Sequence, residues 1–73
     1  NIDVYPNPVS NTLNIKGTPV DAEVEVFSLN GKKHLSGVIN ANNYLDVSSL
    51  QSGLYLLKIK SKETTSFKKF IKN

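Results

Sequence analysis

The sequence predicts an all-β fold, a β-sandwich of about seven short, mainly antiparallel strands. Three observations carry that expectation. Apolar and polar residues alternate with period two in almost every segment, and turn residues recur every eight to twelve positions. No stretch repeats its apolar residues at helical spacing.

Taken in order, Ile2 and Val4 alternate with polar residues until Pro6-Asn7-Pro8 stops the strand, because proline supplies no ladder donor. Thr12–Lys16 alternates cleanly with Leu13 and Ile15 inward, and Gly17 and Pro19 break it. Val24 and Val26 alternate with Glu23 and Glu25, which gives that strand one dry face and one wet face. The phase shifts at Phe27-Ser28-Leu29, which suggests a bulge or twist before the turn.

Asn30-Gly31 is the strongest local signal, since both residues tolerate the positive φ that a two-residue type I′ hairpin requires. It pairs Ala22–Leu29 with Lys32–Ile39. A turn is expected at Asn40–Asn43, followed by a short strand at Tyr44–Val47. Leu54–Lys60 is the most hydrophobic strand, with Tyr55, Leu57 and Ile59 on one face. Its other face passes from Leu54 and Leu56 to Lys58 and Lys60, as in a strand running out from under a cover. Lys62-Glu63-Thr64 turns the chain into a last strand, Ser66–Lys72. There Phe67 and Ile71 share one parity and Phe70 has the other, so either a bulge reconciles them or one aromatic lies outside.

A chain of 73 residues is one domain, spanning 1–73, that buries about 60% of its unfolded surface and leaves roughly 4,500 Å² accessible. That size allows one thin core and argues against a deep cleft. No apolar run approaches the ~20 residues of a membrane helix. There is no initiator Met and no basic-then-apolar leader, so a segment of a longer precursor is expected.

The net charge of +3 is unevenly placed. Residues 1–57 carry three lysines against five carboxylates, a net of −2, whereas residues 58–73 carry six lysines against Glu63 alone, a net of +5. Arginine is absent, which argues against nucleic acid as a partner because base and phosphate readers lean on its bidentate fork. Lysine along a terminal strand also protects an open sheet edge.

No catalytic constellation is present. None of the serines lies in a Gly-x-Ser-x-Gly turn, and His34 is the only base of its kind. Its mid-strand position is that of a solvent-facing or half-buried structural histidine. Glu23 and Glu25 are the wet side of an amphipathic strand, cysteine is absent, and no acidic loop has calcium-binding spacing. Neither catalytic residues nor a cofactor nor a metal is expected.

Four ordered blocks give the chain a family likeness. They are Tyr5-Pro6-Asn7-Pro8 with Leu13 and Ile15; Val24 through Lys32, ending Asn30-Gly31-Lys32; Leu50 through Ile59, with Gly53 and Tyr55; and Lys68-Lys69-Phe70-Ile71-Lys72. In their order and spacing the chain resembles the C-terminal sorting domain of the type IX (Por) secretion system, type A, of Bacteroidetes. It departs from that pattern at Lys62-Glu63-Thr64-Thr65, a turn without the Gly or Asn this hairpin often carries.

The resemblance implies an Ig-like β-sandwich and a non-catalytic secretion signal. It implies a covalently linked upstream cargo, transit of the periplasm, and recognition by the outer-membrane translocon with its shuttle proteins. It further implies removal by a sortase-like surface protease and delivery of the cargo to the outer membrane, the cell surface or the medium. Within it, Lys68, Lys69, Phe70, Ile71 and Lys72 interleave cations with apolar residues on a terminal edge where a partner could add a strand. Simple edge protection is the competing account of those residues. The rival reading of the whole chain is an Ig-like or fibronectin-like carbohydrate-binding or adhesion module of a secreted enzyme. That rival wants exposed aromatic platforms, whereas Trp is absent and Tyr44 and Tyr55 are expected to be packed.

Overall fold

A computed structural model describes residues 2–18, 21–39 and 43–73. Among them lie seven strands and no helix: β1 (Asp3–Tyr5), β2 (Thr12–Lys16), β3 (Glu23–Ser28), β4 (Lys33–Val38), β5 (Tyr44–Asp46), β6 (Gly53–Lys60) and β7 (Thr65–Lys72). They form a three-stranded sheet in the order β1-β2-β5 and a four-stranded sheet in the order β4-β3-β6-β7. Every strand pair is antiparallel. The accessible surface of 4735 Å² is close to what the chain's length requires.

Alternation sets which side chains meet between the sheets. Leu13 and Ile15 of β2, Val24 and Val26 of β3, and Tyr55, Leu57 and Ile59 of β6 are all buried, as their parity predicts. Phe70 of β7 completes the set from the strands. Val9, Ala22, Ile39, Val47 and Leu50 join the same cluster from connecting segments. A fully buried Val, Leu or Ile side chain contributes about 1.5–3 kcal/mol, so Val9, Ile39, Val47 and Leu50 are a substantial share of a small core.

The hairpin at Asn30-Gly31 differs from the expected two-residue form. Gly31 N–H donates to Ser28 O at 2.9 Å and Ser28 N–H donates to Lys32 O at 2.9 Å, which closes a three-residue loop of Leu29, Asn30 and Gly31. Gly31 has φ +92 while Asn30 stays at negative φ, so this is a turn with a left-handed glycine after it. The Asn30 side chain explains the choice, because Oδ1 accepts from Ser28 Oγ and from Lys32 N–H (3.3 Å). The expected bulge is present at the level of Val26 and Phe27, but on the partner strand. Val26 pairs with Leu35 and Phe27 with Lys33, so the additional residue is His34 on β4. β3 keeps its phase, and Phe27 is an apolar residue on the outer face.

In β7 the pairing with β6 is unbroken from Lys60↔Thr65 to Gly53↔Lys72, so no bulge reconciles the aromatics. Phe70 points inward and Phe67 lies outside, 54% exposed. The Lys62-Glu63 turn dispenses with Gly or Asn because Ser61 and Thr64 close it. Ser61 N–H donates to Thr64 O at 2.8 Å, and the two hydroxyls lie 3.0 Å apart. Tyr44 is half-exposed rather than packed, since its parity on β5 is opposite to that of Leu45. The turn expected at Asn40–Asn43 lies outside the described residues apart from Asn43, which has φ 58.

Candidate functional site

The expected recognition segment is the second half of β7, an edge strand of the four-stranded sheet. Burial divides its five residues, and Lys68, although it shares the parity of Phe70 and Lys72, falls on the exposed side of the division. Phe70 is fully buried and stacks on Tyr55 with ring centroids 5.7 Å apart. Tyr55 is fixed in turn by its hydroxyl, which donates to Gln51 O at 2.7 Å, and by the His34 ring set edge-on at 5.6 Å. Lys72 is only 8% exposed, and its ammonium turns back to donate to Asn73 O at 3.0 Å. Lys68, Lys69 and Ile71 are exposed. The segment is therefore two anchors and three displayed side chains.

The far end of β7 is held by the segment after β1. Asn7 Oδ1 accepts from Ile71 N–H at 2.8 Å, Val9 N–H donates to Ile71 O at 2.8 Å, and Asn73 N–H donates to Val9 O at 2.9 Å. Asn73 Nδ2 adds a bond to Ser10 Oγ at 3.2 Å. Pro6 and Pro8 lack an N–H, so Tyr5-Pro6-Asn7-Pro8 cannot continue as a full ladder strand and instead ends the sheet with a short clasp. Val9, completely buried, pins the clasp to the core and makes an isolated parallel bridge to Lys72.

This clasp settles which part of the edge is open. In an antiparallel ladder alternate residues turn their main-chain groups to opposite sides. Ile71 turns its N–H and C=O away from β6 and toward Asn7 and Val9. Phe67 and Lys69 share that parity, and their outward main-chain groups have no partner among the described residues.

Of the remaining motif residues, Tyr5, Pro6, Asn7, Pro8 and Lys32 are exposed, Gly31 shapes the hairpin, and Tyr55 is core. Gly53 opens β6 at φ +154, a conformation that L side chains rarely adopt. A Cβ there would meet only Tyr55 Cε1 at 3.9 Å, so the backbone rather than space requires glycine. The residue missed in the sequence is Val9. A single apolar residue after two prolines belongs to no alternating run and carries no periodic signal.

The charged groups are placed as surface pairs. Glu25 receives both Lys33 (3.3 Å) and Lys58 (3.8 Å) on the outer face of the four-stranded sheet. The Ser48 hydroxyl and the Ser48 N–H (2.9 Å) both donate to the Asp46 carboxylate and lower its pKa below the ordinary value of 3.8. That arrangement closes the turn after β5. Among the described residues no three His, Asp or Glu side chains are grouped to hold a metal ion. No helix of the described residues is long and apolar enough to cross a membrane.

A family model described as Secretion system C-terminal sorting domain matches residues 3–73. No curated protein sequence matches the chain.

Proposed function

The chain belongs to the secretion system C-terminal sorting domain family, that of type IX secretion, and from that premise we propose that it carries an upstream cargo out through the outer-membrane translocon without any catalysis of its own. A domain of this family is a sorting signal for export to the cell surface or the medium. The family match over residues 3–73 is the observation that carries the proposal. The finer steps belong to it as well: transit of the periplasm, handling by the translocon and its shuttle proteins, and cleavage by a sortase-like surface protease that leaves the cargo anchored.

Lys68, Lys69 and Ile71 are the residues of the terminal segment displayed for recognition. Phe70 and Lys72 hold that strand in place. The open stretch of edge at Phe67 and Lys69 offers main-chain groups to an added strand, and the lysines fix its register. This division supports the reading, because a signal read on many cargoes needs a displayed surface with its own anchors.

The test is a fusion of residues 1–73 to a periplasmic reporter in a host with this secretion system. Export of the parent fusion is expected, with loss of export in a Lys68→Gln/Lys69→Gln variant of unchanged melting temperature. Lys72 is left intact because it is buried. Equal export of the double variant would remove lysine charge as the signal, and a parent fusion retained in the periplasm would overturn the sorting reading itself.

A further inference from the structure

The outer face of the four-stranded sheet is apolar where a small free-standing domain would be polar. Phe27 of β3 lies directly across from Leu56 of β6, and Leu54 lies across from Ile71 of β7. Phe67 stands across from Lys58 on the same face. Leu54 is 40% exposed and Ile71 46%, while Phe27 and Leu56 are half-buried. Directly opposed side chains in a sheet sit about 5 Å apart and diagonal ones about 7–8 Å, within reach of aromatic and long side chains, so the two opposed pairs, joined along β6 by Leu54 and Leu56, and Phe67 diagonal to Leu56 form one patch over three strands. Contiguous exposed apolar surface of this kind marks a place of interaction.

The charges around the patch specify what covers it. Lys33, Lys58, Lys60 and Lys69 share the face with Glu23 and Glu25, a net of +2. Glu25 is occupied by two of the lysines, whereas Lys69, beside Leu56, makes no ion pair among the described residues. A second copy of the chain would bring the same positive sign against it. An anionic lipid surface would meet the lysines but would press against Glu23 and Glu25, which point out of the same face. A protein surface can match both signs.

We propose that this face is a docking surface for a protein of the export machinery that presents an apolar ridge bordered by carboxylates, with a cation opposite Glu23. It rests on the sorting reading for the identity of that machinery, and it moves the apolar part of recognition from the terminal strand to three strands. Lys69 then lies at the junction of the open β7 edge and the apolar patch. An added strand on that edge would extend the patch.

The experiment uses the reporter fusion of residues 1–73 with Leu54→Ser, Phe67→Ser, their combination, and Lys69→Glu. Tyr44→Ser and Lys16→Glu, on the outer face of the other sheet, are the controls. Exported reporter is expected to fall roughly tenfold or more in the double variant, the loss that follows when an anchor leaves a docked patch. Melting temperature and the β-sheet circular-dichroism spectrum should be retained and the controls exported. If the double variant fails to fold, Lys69→Glu decides alone, since an exposed charge leaves the fold intact. A photo-crosslinking residue at position 67 should form adducts with an export-machinery protein in the cell, and one at position 44 should not. Parent export with full export of the folded face variants overturns the docking surface and leaves the sorting reading standing. A parent fusion that is not exported overturns both. Co-flotation with phosphatidylglycerol vesicles but not phosphatidylcholine vesicles, abolished by Leu54→Ser/Phe67→Ser, would assign the face to lipid and overturn the protein partner.

Discussion

The two sheets of the sandwich are unequal in length and opposite in surface. β1, β2 and β5 have three, five and three residues, against six, six, eight and eight for β3, β4, β6 and β7. Outside, the shorter sheet displays Asp3, Lys16, Thr12 and Asp46 around two half-exposed tyrosines, Tyr5 and Tyr44. The longer sheet displays Phe27, Leu54, Leu56, Phe67 and Ile71 among lysines. Inside, the longer sheet supplies most of the strand core, the shorter one supplies Leu13 and Ile15, and Val9, Ala22, Ile39, Val47 and Leu50 join them from connecting segments. The difference separates two jobs. The short sheet completes the core, and the long sheet offers a surface.

The largest effect expected concerns that shared core. Leu57 on β6 and Leu13 on β2 are both fully buried, one from each sheet. Either leucine changed to Ala should cost about 2–5 kcal/mol, a severe loss in a domain this small. Urea unfolding of the two variants measures it. A Leu13→Ala variant as stable as the parent would make the three-stranded sheet a loose cover over the other.

Much of this was legible in the residues because the information is local. Alternation at Leu13, Ile15, Val24, Val26, Tyr55, Leu57 and Ile59 depends only on backbone geometry, and the core follows from it. The strand ends in the structure fall within a residue or so of the expected ones. What escaped depended on distant or side-chain partners. The hairpin form at Asn30 was decided by bonds to Ser28 and Lys32. Phe67 was left ambiguous because an apolar residue facing outward has the same letters as one facing inward. Which stretch of the β7 edge stays open needed the position of Asn7 and Val9, more than 60 positions away in the chain.

The clasp supplies the next largest effects. Val9→Ala removes two fully buried methyl groups from the side chain that pins the β1–β2 connection to the core, and should cost about 2 kcal/mol. Asn7→Ala removes only the acceptor of the Ile71 N–H, for about 1 kcal/mol. In a domain of this size that is a fall of about 4–8 °C in melting temperature. Hydrogen exchange sharpens the result: the Ile71 amide should lose protection in Asn7→Ala while the Leu57 amide keeps most of its own. Equal loss at both would mean that the clasp is part of the global fold rather than a local tie.

The smallest effect lies at the end of the shorter sheet, on Asp46. Its pKa is lowered first by the Ser48 hydroxyl and then by the Ser48 N–H, with slight opposition from desolvation. A carboxylate whose folded pKa lies below its unfolded value adds stability that is fully present above the unfolded value, near 3.8. That contribution is lost as pH falls through the lowered folded value. The parent should therefore show a shallow additional loss of stability in acid, confined to the region below about pH 4, that Asp46→Asn lacks. Because the carboxylate is exposed, the difference should be small at any pH. A side-chain NMR titration reads it more directly than a melt. The Asp46 midpoint should lie below the ordinary value, and Ser48→Ala should raise it most of the way back, since the hydroxyl is the larger cause. A midpoint unmoved by Ser48→Ala would assign the effect to the backbone of the turn, and the short sheet would then end on a main-chain lock instead of a side-chain one.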